Sequence, residues 1–271
     1  MRSSKLKSLI LLILVLVNGF LLILVVPSRL AAHRQTKQSD ALLAQLYGQA
    51  GITLEITEMP QTLSVTQCAL EIREDALLQA AKALLGQNAE VQVSQFGSDI
   101  RSPIGDGYFY GNYLTLTLSQ ACEDPDAFVE AQLAAMGAGE HRLRQQESEG
   151  DIRIVATFLL EGLDLREREL TFRFQDGLLT EVTGFFFPAH MSFSPTKTQA
   201  CMAARDALVR LLDHLQKEEA SVTTVQSLAQ AWRIPSFMGA ETTVLVPVWA
   251  IQTDAGVYLV DGLTSDVIPP A

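Results

Sequence analysis

Hydrophobic and polar positions in this chain alternate with two periods, and one segment near the amino terminus has no period at all. From Leu9 to Val26 every residue is apolar except Asn18 and Gly19. Eighteen residues at the helical rise span roughly 27 Å, close to a bilayer's hydrocarbon thickness. A cleavable signal has an apolar stretch of only about 7 to 15 residues, so residues 8–27 are predicted to remain as a transmembrane anchor. Pro27 ends the run, and a cut after Ala32 would place bulky Leu30 where a small residue is needed.

Beyond the anchor the periods separate. Leu42, Leu43, Leu46 and Tyr47 share one face of a helix from Ser39 to Gln49, which Gly51 stops. Thr62 to Ile72 reads as a strand, and Glu74 to Leu85 as a helix with Leu77, Ala81 and Leu84 on one face. Glu90 to Phe96 and Tyr108 to Leu118 read as extended, the second setting Leu114, Leu116 and Leu118 against Thr115 and Thr117. A helix from Asp124 to Met136 opens on Asp124-Pro125 and closes at Gly137. Strands follow at Ile152 to Leu160, Glu169 to Gln175 and Leu178 to Phe187, the last two joined by the hairpin signal Asp176-Gly177. Ser194 as cap and Pro195 at the first position predict a third helix, with Ala204, Leu208, Leu211, Leu212 and Leu215 at helical spacing. Ser221 to Trp232, Thr242 to Gln252 and Gly256 to Val260 read as closing strands.

Helix followed by hairpin thus occurs twice, which predicts an α+β class: a transmembrane helix, then units in which a helix covers an antiparallel sheet. The units divide as a tail at 1–7, the anchor at 8–27, a stalk and short helix at 28–60, a first α+β part at 61–188 and a second at 189–271. Asp176-Gly177-Leu178 loosely mirrors Asp261-Gly262-Leu263, which fits either duplication or shared hairpin grammar.

Charge sets the orientation. Met1 to Lys7 carries only cationic side chains, whereas all 31 acidic residues and 17 of the 20 Lys and Arg lie beyond the anchor, leaving the large part near −14. The tail is therefore expected inside and the carboxyl-terminal part outside the cytoplasm, although Arg29, Arg34 and Lys37 partly offset the bias. A phosphate backbone wants a basic face, so nucleic acid is not an expected partner. The three cysteines, Cys68, Cys122 and Cys201, are odd in number and widely spaced, suggesting neither a disulfide framework nor a zinc site; Cys68 and Cys201 read as small buried hydrophobes.

Local signatures of chemistry are missing: the sequence has no G-x-S-x-G, H-E-x-x-H, P-loop or G-x-G-x-x-G after a strand. His33, His141, His190 and His214 follow no ligand spacing, and the acidic clusters read as helix ends. The reading is of a protein that is not an enzyme and holds no metal or cofactor. Phe185-Phe186-Phe187 is a candidate partner-binding edge, against the ordinary alternative of aromatics buried under a helix. Tyr108 and Tyr110 are candidates for lining a groove, against the alternative of simple sheet formers. Within the anchor, Asn18 and Gly19 are candidates for a helix contact in the membrane: glycine permits close approach, and asparagine can hydrogen-bond across an interface.

Two stretches carry a family likeness: Ala41-Leu42-Leu43 through Gly51-Ile52-Thr53-Leu54 and Met59-Pro60, and Val246-Pro247-Val248-Trp249 through Gly256-Val257-Tyr258-Leu259-Val260-Asp261-Gly262. Together they resemble the YycH/YycI-type regulators, bacterial membrane-anchored proteins with PepSY-like extracytoplasmic layers. After Asp261-Gly262-Leu263 this chain has Thr264-Ser265 where PepSY hairpins commonly have Thr-Gly. The resemblance implies a single-pass regulator that contacts a sensor histidine kinase through its transmembrane and extracytoplasmic parts, with homo- and hetero-oligomers both open and the lipid bilayer as its support. The competing expectation is an extracytoplasmic module that binds a peptide or inhibits a protease.

Overall fold

The computed structural model describes residues 39–270 apart from 64, 72–73, 96, 149–150 and 236–241. The anchor at 8–27, with Asn18 and Gly19, lies outside the described residues. Among those described, no helix is long and apolar enough to cross a membrane.

The chain forms α1 (39–49), β1 (Thr53–Leu54), β2 (Thr66–Glu71), α2 (Glu74–Leu85), β3 (Glu90–Ser94), β4 (Gly97–Ser102), β5 (Gly105–Tyr110), β6 (Tyr113–Ala121) and α3 (Pro125–Met136). It continues with β7 (His141–Ser148), β8 (Asp151–Leu160), β9 (Leu163–Arg166), β10 (Leu170–Gln175), β11 (Leu178–Phe185) and β12 (Ser192–Ala200). Last come α4 (Ala204–Lys217), β13 (Thr224–Arg233), β14 (Thr242–Thr253), β15 (Gly256–Asp261) and β16 (Val267–Ile268).

Separate helix-plus-antiparallel-sheet units are not what forms. The strands join into one mixed sheet whose main path runs β12-β2-β14-β13-β9-β8-β10-β11-β6-β5-β4-β3. The cause is β8, which is longer than its pairing with β10: its last residues turn through Glu161-Gly162 into β9, and β9 pairs in parallel with β13. A parallel pair needs a long crossover, here everything between Arg166 and Thr224, so local periodicity cannot announce it.

Side-chain parity places the helices. On β13, Leu228 belongs to the core built with α1 and α4, while Trp232, four residues on and therefore on the same face, belongs to the core built with α2 and α3. All four helices thus lie against one face of the continuous sheet, and the other face carries no helix among the described residues.

Several predicted elements form as expected. α2 has the predicted bounds, and α3 begins after Asp124, whose carboxylate accepts from the Ala127 N–H at 3.1 Å, and ends on Gly137 at φ 70°. Leu114, Leu116 and Leu118 all point into the core. The third helix exists but starts at Ala204, without a side-chain cap, rather than at Ser194. Ser192–Ala200 instead pairs with β2, with Pro195 opposite Cys68 and the Thr196 hydroxyl donating to the Gln67 carbonyl at 3.1 Å. Proline is tolerated there because β12 is an edge strand, where a missing N–H costs no ladder bond. Tyr108 to Leu118 is not one strand but the hairpin of β5 and β6, turned at Gly111-Asn112 with Gly111 at φ 59°. The strands β1, β4, β7, β9, β12 and β16 are additions to the predicted set.

Long-range polar contacts lock α1 to α4 and tie the approach to α4 to the sheet. The Tyr47 hydroxyl donates to the Leu208 carbonyl at 2.7 Å, Arg205 pairs with Asp40 at 2.6 Å, and Trp249 Nε1 donates to the Met202 carbonyl at 3.0 Å. Burial pushes the Tyr47 phenol above the usual tyrosine range. Asp254 ties the β14–β15 turn to β13, accepting from the backbone N–H of Thr223 and Thr224 at 3.1 and 3.2 Å. The Thr223 hydroxyl, with these N–H groups, holds the Asp254 carboxyl below its ordinary range. A depressed folded pKa means stability that is present at neutral pH and lost as pH falls through the folded value. Thermal melts between pH 7 and pH 2 should show the wild type's advantage over Asp254→Asn shrinking across the acid limb; an advantage constant with pH would contradict this tether.

Candidate functional site

The face that carries none of the described helices is set by the alternation that fills the core. In the antiparallel part, Leu114, Leu116, Val182, Phe172 and Ile154 point inward, so their neighbours point out. Register then lines up a row across six strands: Tyr108, Thr115, Thr183, Thr171, Val155 and Arg144. β-branched and aromatic residues in direct cross-strand register stabilise such a surface by packing on one another.

At the end of this face the side chains become aromatic and cationic. Tyr113 is opposite both Tyr110 and Phe185. Its ring meets Phe185 edge-on at 5.2 Å between centroids, and its hydroxyl shares a 3.1 Å hydrogen bond with that of Thr183. The guanidinium of Arg168, from the β9–β10 turn, lies 4.6 Å above the Phe185 ring centre, a cation–π contact.

Of the aromatic candidates, Tyr108, Tyr110 and Phe185 therefore come together on this face, with Tyr110 exposed. Phe186 and Phe187 do not join them, being fully buried and packing edge-on against Phe158 with centroids 6.0 and 5.4 Å away. The reason is parity for Phe186, which must face opposite to Phe185. Phe187 is drawn in with the chain beyond the strand, where its carbonyl accepts from the Gly139 N–H. For these two the buried alternative holds.

Arginine joins the site although no sequence motif points to it. On the parallel pair β9–β13, Arg166 sits opposite Arg233. Arg233 pairs with Glu167 at 2.7 Å, Arg166 with Asp164 at 3.4 Å, and Arg142 with the same Asp164 at 3.0 Å. Among the described residues the polar contacts of Arg168 are long ones, to the Glu167 and Ile234 carbonyls at 3.4 Å each. Burial pulls the Arg168 guanidinium below the usual arginine range; Glu167 opposes this and Arg233 adds to it. Among the described residues, the buried Nε atoms of Arg166 and Arg168 find no hydrogen-bond partner, nor do Asp164 Oδ1 and both side-chain polar atoms of Asn112 in the neighbouring β5–β6 turn. The signal that could have found this corner is Leu163-Asp164-Leu165-Arg166 after Glu161-Gly162: a short alternating strand behind a two-residue turn, both turn residues at positive φ.

Elsewhere the titratable groups serve the fold. His141 bonds the Gly139 carbonyl at 2.8 Å and Glu130 at 3.2 Å, and His214 meets the Tyr258 ring edge-on. Cys68, Cys122 and Cys201 are free thiols, each pushed up by burial. Among the described residues no group of three His, Cys, Asp or Glu side chains gathers as a metal site.

No family model and no curated protein matches the chain. Among solved structures it is similar to the Bacillus megaterium YpeB C-terminal domain at 12% identity and a TM-score of 0.38, over 73% of this chain and 97% of that one. A likeness so distant assigns no role, and it adds nothing to the YycH/YycI resemblance.

Proposed function

We propose that this protein is a membrane-anchored, extracytoplasmic regulator that acts without catalysis, docking a membrane partner on the open sheet face and, through its anchor, beside that partner's own helices. The partner proposed from the YycH/YycI resemblance is an envelope sensor histidine kinase. The observation that carries the docking surface is the convergence of Tyr108, Tyr110, Tyr113 and Phe185 with a group of arginines on a face that none of the described helices covers, in a chain of net charge −11. Tyrosine and arginine supply most of the energy in protein interfaces. Local positive charge on an acidic molecule selects an acidic stretch of the partner's extracytoplasmic part.

The test is cross-linking in membranes that hold the full chain and its envelope kinases. A photoreactive residue at Tyr110 is expected to capture a histidine kinase, and one at Val209, exposed on α4, is not. Tyr110→Glu and Arg144→Glu, both at exposed positions, should each weaken co-purification with that kinase roughly ten-fold, about 1.4 kcal/mol. Replacing Asn18-Gly19 by Leu-Leu reports separately on the anchor's contribution. Capture of a peptidase or wall polymer instead of a kinase would favour the peptide-binding alternative, and equal capture at Tyr110 and Val209 would remove the docking face.

A further inference from the structure

Four guanidiniums, those of Arg142, Arg166, Arg168 and Arg233, gather around two carboxylates, Asp164 and Glu167, where β9, β13 and the β9–β10 turn meet. Glu167 is committed to Arg233, and Asp164 forms ion pairs with Arg142 and Arg166 while its buried Oδ1 accepts no hydrogen bond among the described residues. Among the described residues Arg168 makes no carboxylate bond. Its 3.4 Å contacts to two carbonyls are at the weak end of hydrogen bonding, and its Nε, like that of Arg166, meets no acceptor among those residues.

A half-buried guanidinium with one donor unmet and two weakly bonded carries a partly uncompensated desolvation cost. Two explanations compete for its retention. One is packing alone, since the planar group covers the Phe185 ring. The other is that the missing acceptors arrive with a ligand. Packing does not account for the orphaned Nε of Arg166, nor for the accumulation of cations in a molecule that is otherwise strongly acidic. A guanidinium's fork of donors matches the two oxygens of a carboxylate, and such bonds are the strong ones.

We propose that Arg166, Arg168 and Arg233 form an oxyanion site that takes a carboxylate from an acidic peptide segment. Phosphate shares the oxyanion chemistry, but the Tyr113–Phe185 pair beside Arg168 adds apolar contact for a glutamate's methylenes that phosphate cannot use. The inference rests on the docking face being open, and it deepens that reading by naming what the face takes.

The test uses the purified full chain in nanodiscs of zwitterionic lipid, with no kinase present, and isothermal titration with a tetraglutamate peptide and with inorganic phosphate. The wild type should bind the peptide more tightly than phosphate, with affinity falling as salt rises. Arg168→Gln should weaken peptide binding at least ten-fold, while Arg101→Gln, on β4 and outside the cluster, should leave it unchanged. Glu167→Gln releases Arg233 from its ion pair and should tighten binding several-fold, a gain that misfolding cannot imitate. No peptide binding by the wild type, unchanged binding in Arg168→Gln, or weaker binding in Glu167→Gln would each overturn the site; phosphate binding equal to peptide binding would reduce it to a general anion site and overturn the peptide assignment. Peptide binding without kinase capture at Tyr110 would leave this site standing and remove the kinase, whereas capture without peptide binding would do the reverse.

Discussion

Replacing Trp232 by alanine should destabilise the folded chain by about 3 to 5 kcal/mol, the usual cost of deleting a large buried aromatic side chain. Trp232 is essentially buried, and its indole Nε1 donates to the Leu160 carbonyl at 2.9 Å. Its register partners are Pro247 on β14 and Leu165 on β9, so it stands where the carboxyl-terminal strands join the rest of the sheet. Alanine there opens a cavity at the joint and leaves the Leu160 carbonyl unmatched in the core. Trp232→Phe keeps most of the volume and isolates the hydrogen bond, which should account for about 1 to 2 kcal/mol. Chemical denaturation of both variants checks the pair of values. Equal losses from the two would show that the cavity is not the main cost, and a loss below about 1 kcal/mol in Trp232→Ala would contradict the packing described.

Gly184→Ala is expected to cost about 3 kcal/mol or more, from backbone strain and a steric clash together, and to act on the candidate site as well as on stability. Gly184 has φ 129°, a backbone region that side chains rarely enter. A Cβ there would land on the Glu169 carbonyl oxygen, with the Leu170 Cα also too near. Both obstacles are backbone, so no rotamer change relieves them, and β10 and β11 would have to separate where Phe185 and Arg168 are positioned. Thermal melting should show a drop of several degrees, and in the same variant the affinity for the tetraglutamate probe should fall. An alanine variant that melts within a degree of the wild type would refute the close approach of these strands.

On the open face, local pattern reaches as far as side-chain direction and no further. The opposition of Leu114, Leu116 and Leu118 to Thr115 and Thr117 shows in the sequence which residues turn from the core, because strand parity is a local rule. What the outward residues meet is not local: Thr115 stands beside Thr183, and Tyr113 beside Phe185, only because β6 pairs with β11 across the intervening α3, β7, β8, β9 and β10. Phe185-Phe186-Phe187 looks like one apolar edge in sequence, yet a single step of parity sends Phe186 to the core and leaves Phe185 outside. Arg166 and Arg233 are 67 positions apart in the numbering and become neighbours by parallel pairing alone.

The displaced start of the third helix has a different cause. Ser194-Pro195 satisfies the local grammar of a helix start, and that grammar carries about 1 kcal/mol. Pairing with β2 offers the same stretch a ladder of backbone bonds and packs the neighbouring Phe193 against the core, and this outweighs the cap. Ala204 begins the helix with no side-chain cap because the packing of Leu208, Leu211, Leu212 and Leu215 is sufficient to hold it.

By itself, the order of residues determined what depends on near neighbours: the period of α2 and α3, the cap at Asp124, the hairpin at Asp176-Gly177, the inward row of β6 and the net acidity of the part beyond Val26. Tertiary structure alone decided that the strands close into one mixed sheet, that all four described helices share one of its faces, and that aromatic and arginine side chains converge at the end of the other. Helix and hairpin signals arise within a few residues of backbone, whereas strand pairing over long separations is chosen by the summed burial and hydrogen bonding of the whole chain, which no short window of sequence contains.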